Sequence, residues 1–355
     1  MANHSTIHPT IMKLRVLIVD DSPLIRAVLR EAFEHTEDIQ VVGEAGDGNE
    51  AMLQVGRLLP DVVTMDILMP GMDGLKATQE IMRTHPIPIV IVARDGGDAQ
   101  RLAFEALGKG AIEIFPKPIS GFDEHAANDL AAVVRRLGHT VRRGLKPGRA
   151  SSDSALIVER AMDVSVVGIG GSTGATPVLH ALLQALPVDF PVPIVAVQHT
   201  EPGFGHVLSH WLSEASSLPV RMGEEGHVLK PGEVVLAPFD CHMEVDAHGM
   251  IHLQHGPQEY GFRPSVTVLF RSLAKNFGIE ALGLILSGIG NDGAEGLGAI
   301  YAAGGTAVVQ SPATAAVSAM PERARTFAAG AYVEEASRLP RLLMELVAAG
   351  RYAQK

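Results

Sequence analysis

Asp20 and Asp21 close one apolar run, Asp66 closes another, and Lys117 closes a third. If these runs lie side by side, three carboxylates and one ammonium meet at one place. Clustered carboxylates repel, and a divalent cation relieves the repulsion. Mg2+ suits a few carboxylates, several waters and a phosphate oxygen. A carboxylate held there can attack a phosphoryl donor and form an acyl phosphate. Lys117 offers a compact positive charge for the new phosphate. A DD pair alone is commonly a loop or helix cap. The set of DD, MDILMPGMDG and KP, each at the end of a successive strand, is far narrower. Lys117-Pro118 also invites a cis or otherwise constrained bond.

A second group lies further along. Gly170-Gly171-Ser172-Thr173-Gly174 follows the apolar run VSVVGI and fits GxSxG, a sharp strand-to-helix turn that exposes a serine. A competing reading takes Gly168, Gly170 and Gly174 as a dinucleotide-binding turn. Its last spacing is one residue too long, and the next strand, PIVAVQHT, ends without a ribose-binding acid. A nucleophilic serine needs a base, and the base needs an orienting acid. PIVAVQ delivers His199 at its end, and LGLILSGIGN delivers Asp292 just past its own. The chain order Ser, His, Asp differs from that of α/β-hydrolases. Taken singly, Asp292 in Asn-Asp-Gly is a turn residue. Most of the 15 histidines must be surface or packing residues, His180 on a helix among them. His242, His248, His252 and His255 fall in a hairpin-like segment whose spacing fits no compact metal motif.

The elements that must position these residues alternate strand and helix. LRVLIVDD, IQVVGEA, DVVTMDI, IPIVIVA and AIEIF are strand-like, with helical patterns between them. Pro23 suits a first helical turn, and Gly48 to Leu59 continues the pattern. Five βα units imply a doubly wound parallel sheet, with its active crevice at the carboxyl ends of the strands. A mostly parallel, doubly wound α/β fold is also expected for the second half. At 355 residues, two domains are the natural division. The boundaries read as an extension at 1–12, a first domain at 13–137, a linker at 138–162 and a second domain at 163–350. Residues 122–137 look helical, and after Gly138 the pattern dissolves into TVRRGLKPGRASSDSA, whose Gly, Pro, Ser and Arg suit an exposed tether. Its positive charge either solubilises or docks an acidic partner.

A net charge of −11 argues against nucleic-acid binding. The single cysteine, Cys241, excludes an internal disulfide and fits a reducing cytoplasm. Residues 1–12 lack the pattern of a secretory signal, and no apolar run approaches the ~20 residues that span a bilayer. A soluble cytoplasmic protein, monomeric, is the expectation.

With DD, MDILMPGMDG and KP in place, residues 13–137 resemble the response-regulator receiver domain. The resemblance implies Asp66 as phosphoacceptor and Lys117 as phosphate contact. It implies Mg2+ on Asp21, Asp66 and the Leu68 carbonyl, with Asp20 acting partly through water. Receivers usually carry Thr or Ser where this chain has Ala93, and often an aromatic residue where it has Ile114. The acyl-phosphate chemistry is expected to survive; its coupling to conformation is where the departure bears.

VVGIGGSTGATPVL, VAVQHTEPGF, PGEVVLAP, FRPSVTVLF, LILSGIGNDGAEGL and AMPERA occur in this order. Over residues 163–347 they resemble the catalytic domain of the chemotaxis protein-glutamate methylesterase, the CheB type. The family hydrolyses glutamate methyl esters, and many members deamidate glutamines, on chemoreceptor cytoplasmic helices. The resemblance implies Ser172 as nucleophile, His199 as base and acid, and Asp292 as orienting carboxylate. It further implies Thr173 as an ordering residue, the Ile289 N–H as oxyanion donor, and no cofactor for hydrolysis. Its implied partners are methyl-accepting receptors, at whose membrane arrays the protein would be peripheral, and a chemotaxis-type histidine kinase. The family's QHMP, TGMG and RPSVD become QHTE at 198–201, SGIG at 287–290 and a Thr at 267. Two functions are therefore expected in order: a phosphorylation-activated esterase and amidase, or a partner-binding regulator with weakened switching or lost hydrolysis.

Overall fold

The computed structural model describes residues 13–94, 96–118, 122–142 and 164–352. The expected extension at 1–12 and most of the expected linker lie outside the described residues.

The first half follows the predicted alternation: β1 (Leu14–Val19), α1 (Pro23–Glu34), β2 (Ile39–Ala45), α2 (Gly48–Leu58), β3 (Val62–Asp66), α3 (Gly74–Thr84), β4 (Ile89–Arg94), α4 (Gly97–Gly108), β5 (Glu113–Lys117) and α5 (Glu124–Arg142). The strands form a sheet of order β2-β1-β3-β4-β5, with every pairing parallel. Local chemistry sets the helix starts. Ser22, Asp47 and Asp73 each cap a helix by accepting a backbone N–H, and Pro23 opens α1. β1 and β3 are buried nearly throughout, which is why they read as continuous apolar runs.

One local expectation is corrected, and one open alternative is narrowed. The helical pattern does not break at Gly138, because α5 continues to Arg142. Gly138 is instead a packing residue: a Cβ there would lie 2.0 Å from Leu14 Cδ1, so its absence lets α5 close on β1. Lys117-Pro118 is not cis; the cis bond found among the described residues is Arg263-Pro264.

The second half contains β6 (Val166–Gly171), α6 (Thr176–Ala185), β7 (Ile194–Gln198), α7 (Gly205–Ala215), β8 (Val220–Met222), β9 (Val234–Leu236), β10 (His242–Val245), β11 (Ile251–Gln254), α8 (Val266–Phe277), β12 (Ala281–Ile285), α9 (Ala294–Ala302), β13 (Thr306–Gln310), α10 (Ala319–Phe327), β14 (Tyr332–Glu334) and α11 (Leu339–Tyr352). Seven strands make a parallel sheet of order β14-β13-β12-β6-β7-β9-β8. β10 and β11 form a separate antiparallel hairpin, as the histidine-bearing segment predicts. β6 lies between β7 and β12, so the chain winds away from it in both directions. A crevice opens at such a switch point, outside the carboxyl ends of the strands.

Aromatic contacts join the halves. Phe104 of α4 meets Phe204 at 6.1 Å and Trp211 of α7 at 5.6 Å, between ring centroids. Gln100 donates to the Gly203 carbonyl at 3.4 Å. One apolar cluster runs from Leu17 and Met65 through Phe104 to Trp211 and Leu282.

Candidate active site

Two crevices hold the residues singled out by sequence. In the first, Asp20, Asp66 and Lys117 are buried at the ends of β1, β3 and β5. Lys117 Nζ lies 2.7 Å from Asp20 Oδ2 and 2.6 Å from Asp66 Oδ2. Burial pushes the Asp66 carboxyl above the usual range; Lys117 pulls it down but does not prevail, and Asp20 adds to the rise. Asp20, Asp21 and Asp66 each offer an oxygen, all within 4.8 Å of one another. Such an all-oxygen donor set, with one carboxylate exposed, fits a small hard cation that keeps some water. Leu68 N–H donates to Asp66 Oδ1 at 3.3 Å, so the Leu68 backbone adjoins the same carboxylate. Ala93 is fully buried at the end of β4 and pairs with Pro116.

In the second crevice, Ser172 and Thr173 follow β6 directly, and both are buried. Close packing explains the glycines before them. A Cβ at Gly170 would meet Val266 at 2.2 Å, one at Gly168 would meet Leu273 at 2.6 Å, and one at Gly171 would meet Ala175 at 2.6 Å. Side chains of α8 and of the turn into α6 fill the space beside these glycines, so their missing Cβ atoms serve packing within the protein. Gly174 adopts φ 75°, the left-handed conformation that completes the turn.

His199 follows β7, and its Nε2 lies 2.9 Å from Asp292 Oδ2. Asp292 is wholly buried and accepts from Ser265 Oγ at 2.7 Å and from the backbone N–H groups of Val266, Thr267 and Gly293 at 2.7, 2.9 and 2.9 Å. Val266 and Thr267 open α8, so Asp292 occupies a helix N-terminus, where negative charge is favoured. Burial works to raise the Asp292 carboxyl. The His199 hydrogen bond and charge, with Ser265 and Thr267, more than offset it and leave the group below its ordinary value. Thr267 also accepts from Gly293 N–H at 2.7 Å, fixing the loop that carries Asp292.

The link between Ser172 and His199 is not closed. His199 Nδ1 is buried without a hydrogen-bond partner, although both residues line one cavity of about 500 Å³. Loose contacts of this kind are common before substrate binds. Ile289 lines the same cavity, and the loop carrying it crosses close over Ser172: a Cβ at Gly288 would lie 2.9 Å from Ser172 Cβ.

Several residues escaped the sequence reading. Phe262 stacks on His199, with centroids 3.8 Å apart and planes 6° from parallel. Gln198 Nε2 donates to the carbonyls of Ser172 and His199 at 2.9 and 3.1 Å. Ser287 accepts from Ser172 N–H through its carbonyl at 3.0 Å, while Ser287 N–H donates to Gln310 at 2.8 Å. Gln198 and Gln310 both end wholly buried strands, and an amide in that position was the available signal. Glu113, Val133 and Arg136 of the first half line the cavity too, so the first half forms one wall of the crevice that contains Ser172.

Two family models match: the response regulator receiver domain over residues 16–127, and CheB methylesterase over residues 167–343. The protein-glutamate methylesterase/protein-glutamine glutaminase 2 of Methanospirillum hungatei JF-1 is 38% identical over 343 residues, covering 94% of this chain and 98% of that one. The chain belongs to the protein-glutamate methylesterase/protein-glutamine glutaminase family. The third numbered member from Hahella chejuensis is 40% identical, covering 93% of this chain and 98% of its own. Among solved structures, the CheB methylesterase catalytic domain of Thermotoga maritima is 34% identical with a TM-score of 0.50, covering 52% of this chain and 99% of that one. In this family's terms, the first crevice lies in the receiver domain and the second in the methylesterase domain.

Proposed function

We propose that this protein hydrolyses glutamate γ-methyl esters, and deamidates glutamines, on the cytoplasmic helices of chemoreceptors, under control of phosphorylation at Asp66. The observation that carries the reading is Asp292: five donors hold one wholly buried carboxylate against His199 beside Ser172.

The steps follow from that arrangement. Asp292 accepts a hydrogen bond from the His199 Nε2–H, which leaves Nδ1 as the basic nitrogen. His199 Nδ1 removes the Ser172 proton, and Ser172 Oγ attacks the γ-carbonyl of the substrate. Backbone N–H groups, Ile289 among them, meet the developing oxyanion. His199 returns its proton to methanol or ammonia as it leaves. Water, activated in the same way, then cleaves the acyl-enzyme and releases a glutamate carboxyl. Thr173 keeps the turn in order beside the nucleophile.

In the receiver, Asp20, Asp21, Asp66 and the Leu68 carbonyl would hold Mg2+, which supplies charge neutralisation for a phosphoryl group approaching three carboxylates. Asp66 is the phosphoacceptor, and Lys117 is positioned to meet the added charge. A chemotaxis-type histidine kinase is the phosphodonor. The receiver wall over Ser172 gives the unphosphorylated chain its restraint. No helix among the described residues is long and apolar enough to cross a membrane. A cytoplasmic monomer, peripheral at receptor arrays, suits substrates on cytoplasmic helices. The reading is tested by mass spectrometry of a methylated receptor fragment: wild type should release methanol, and Ser172→Ala should release none.

A further inference from the structure

β5 touches both crevices. Its last residue, Lys117, bonds Asp20 and Asp66. Its first residue, Glu113, lines the cavity that holds Ser172 and His199, about 13 Å along the strand from Lys117. Thr173, the residue that follows Ser172, lines the same cavity, and its hydroxyl draws the Glu113 carboxyl toward the charged form. The charged groups around it come from two other elements. Its own carboxyl on β5 faces the Arg136 guanidinium from α5 and the Glu201 carboxyl from the loop after β7, and Asp129 of α5 acts on both of those.

The side chain that the proposed reaction acts on is itself a glutamyl group. It enters as an ester or amide and leaves as a carboxyl. We propose that Glu113 is a built-in product mimic, a glutamate of the receiver that occupies the place of the substrate glutamate beside Thr173 until phosphorylation withdraws it. The inference rests on the reading of the Ser172 crevice as a glutamyl hydrolase, and it names the group that restrains that crevice.

Four features support it. The contact is with the neighbour of Ser172, not with the rim of the crevice. Burial pushes the Glu113 carboxyl up to about 7, against the pull of Thr173 and Arg136, so near neutral pH much of it is the uncharged acid. An uncharged carboxyl resembles the ester and amide more closely than a carboxylate does. The mimic is also chemically inert, since hydrolysis of a carboxyl returns the same carboxyl. Withdrawal has a route: Lys117 is drawn to a phosphoryl group on Asp66, and it ends the five-residue strand that Glu113 begins. That route needs no hydroxyl at Ala93.

The test uses the full chain without phosphodonor. Methanol release from a peptide carrying glutamate γ-methyl ester is followed for wild type, Glu113→Ala and Gln100→Ala. Gln100→Ala removes an interdomain hydrogen bond outside the cavity. Glu113→Ala is expected to raise basal kcat/KM by about fivefold or more and to shrink the further gain from beryllofluoride, because the competent fraction is already large. Gln100→Ala is expected to give a much smaller rise. An equal rise in both variants, or none in Glu113→Ala, overturns the proposal. Labelling of Ser172 by phenylmethanesulfonyl fluoride reads access without the ester. Glu113→Ala should label faster than wild type, and equal labelling overturns the mimic whatever the peptide shows. Absence of methanol from every variant, with Ser172 still labelled, instead fails the hydrolase reading.

Discussion

Asp66 and Asp292 are both buried carboxylates at the end of a parallel sheet, and their environments push them in opposite directions. Asp292 takes a serine hydroxyl, three backbone N–H groups and an imidazole. Asp66 has one ammonium and one long backbone contact, and shares its pocket with Asp20. Burial raises both; only Asp292 has enough donors to end below its ordinary value. A carboxylate meant to orient a base must stay ionised and still. A carboxylate meant to accept a phosphoryl group must keep an oxygen available, and its pocket needs added positive charge. The chain therefore builds the same residue type in two ways, with fixed backbone donors where charge is permanent and mobile charge where it changes.

Substitutions separate the two designs. Asp292→Asn should lower kcat about 10⁴-fold, because the amide imposes the wrong tautomer on His199. Asp66→Asn should leave basal methanol release in place and abolish its rise with beryllofluoride. A large basal loss in Asp66→Asn would merge two roles that the geometry keeps apart.

Stability should shift with opposite sign. Asp292→Asn leaves its donors poorly matched and should cost about 3 kcal/mol at pH 7, read by denaturant unfolding. Its carboxyl is depressed, so its contribution is full at neutral pH and is lost only as pH falls below about 4. Asp66→Asn removes a carboxylate that is raised by burial, so it should stabilise the receiver by about 1 kcal/mol at pH 7. That gain should fade as pH falls and the wild-type carboxyl takes up its proton. Shifts of the same sign would break the contrast.

The smallest effect is at Glu113. Its carboxyl is raised to about 7, so the arrangement that buries it is strongest at low pH and weakens as pH rises through 7. The basal rate of wild type relative to Glu113→Ala should therefore climb about twofold to threefold between pH 6 and 8. Taking the ratio cancels every pH effect common to the two proteins, and a flat ratio would contradict the assignment.

Much of this was legible in the sequence because apolar strands announce their own ends. Asp20, Asp66 and Lys117, and likewise Ser172 and His199, each end or follow a run that the sheet buries wholly or in large part. Asp292 was legible only by its place after the run that became β12. The glycines around Ser172 were ambiguous, since a phosphate cradle and a close helix contact both exclude a Cβ; only α8 in position decides. Gly138 misled for the same reason. Ser265, Phe262 and Glu113 were not legible, because each acts across the fold, on Asp292 27 residues away in the case of Ser265. No local pattern marks such a partner.

The most direct test is methanol release by the full chain from a methylated receptor fragment, with and without beryllofluoride and Mg2+. A rise in wild type that is absent in Asp66→Asn, with no release from Ser172→Ala in either condition, is the predicted result. Equal release from wild type with and without beryllofluoride, or release that survives Ser172→Ala, would contradict a hydrolase at Ser172 governed from Asp66.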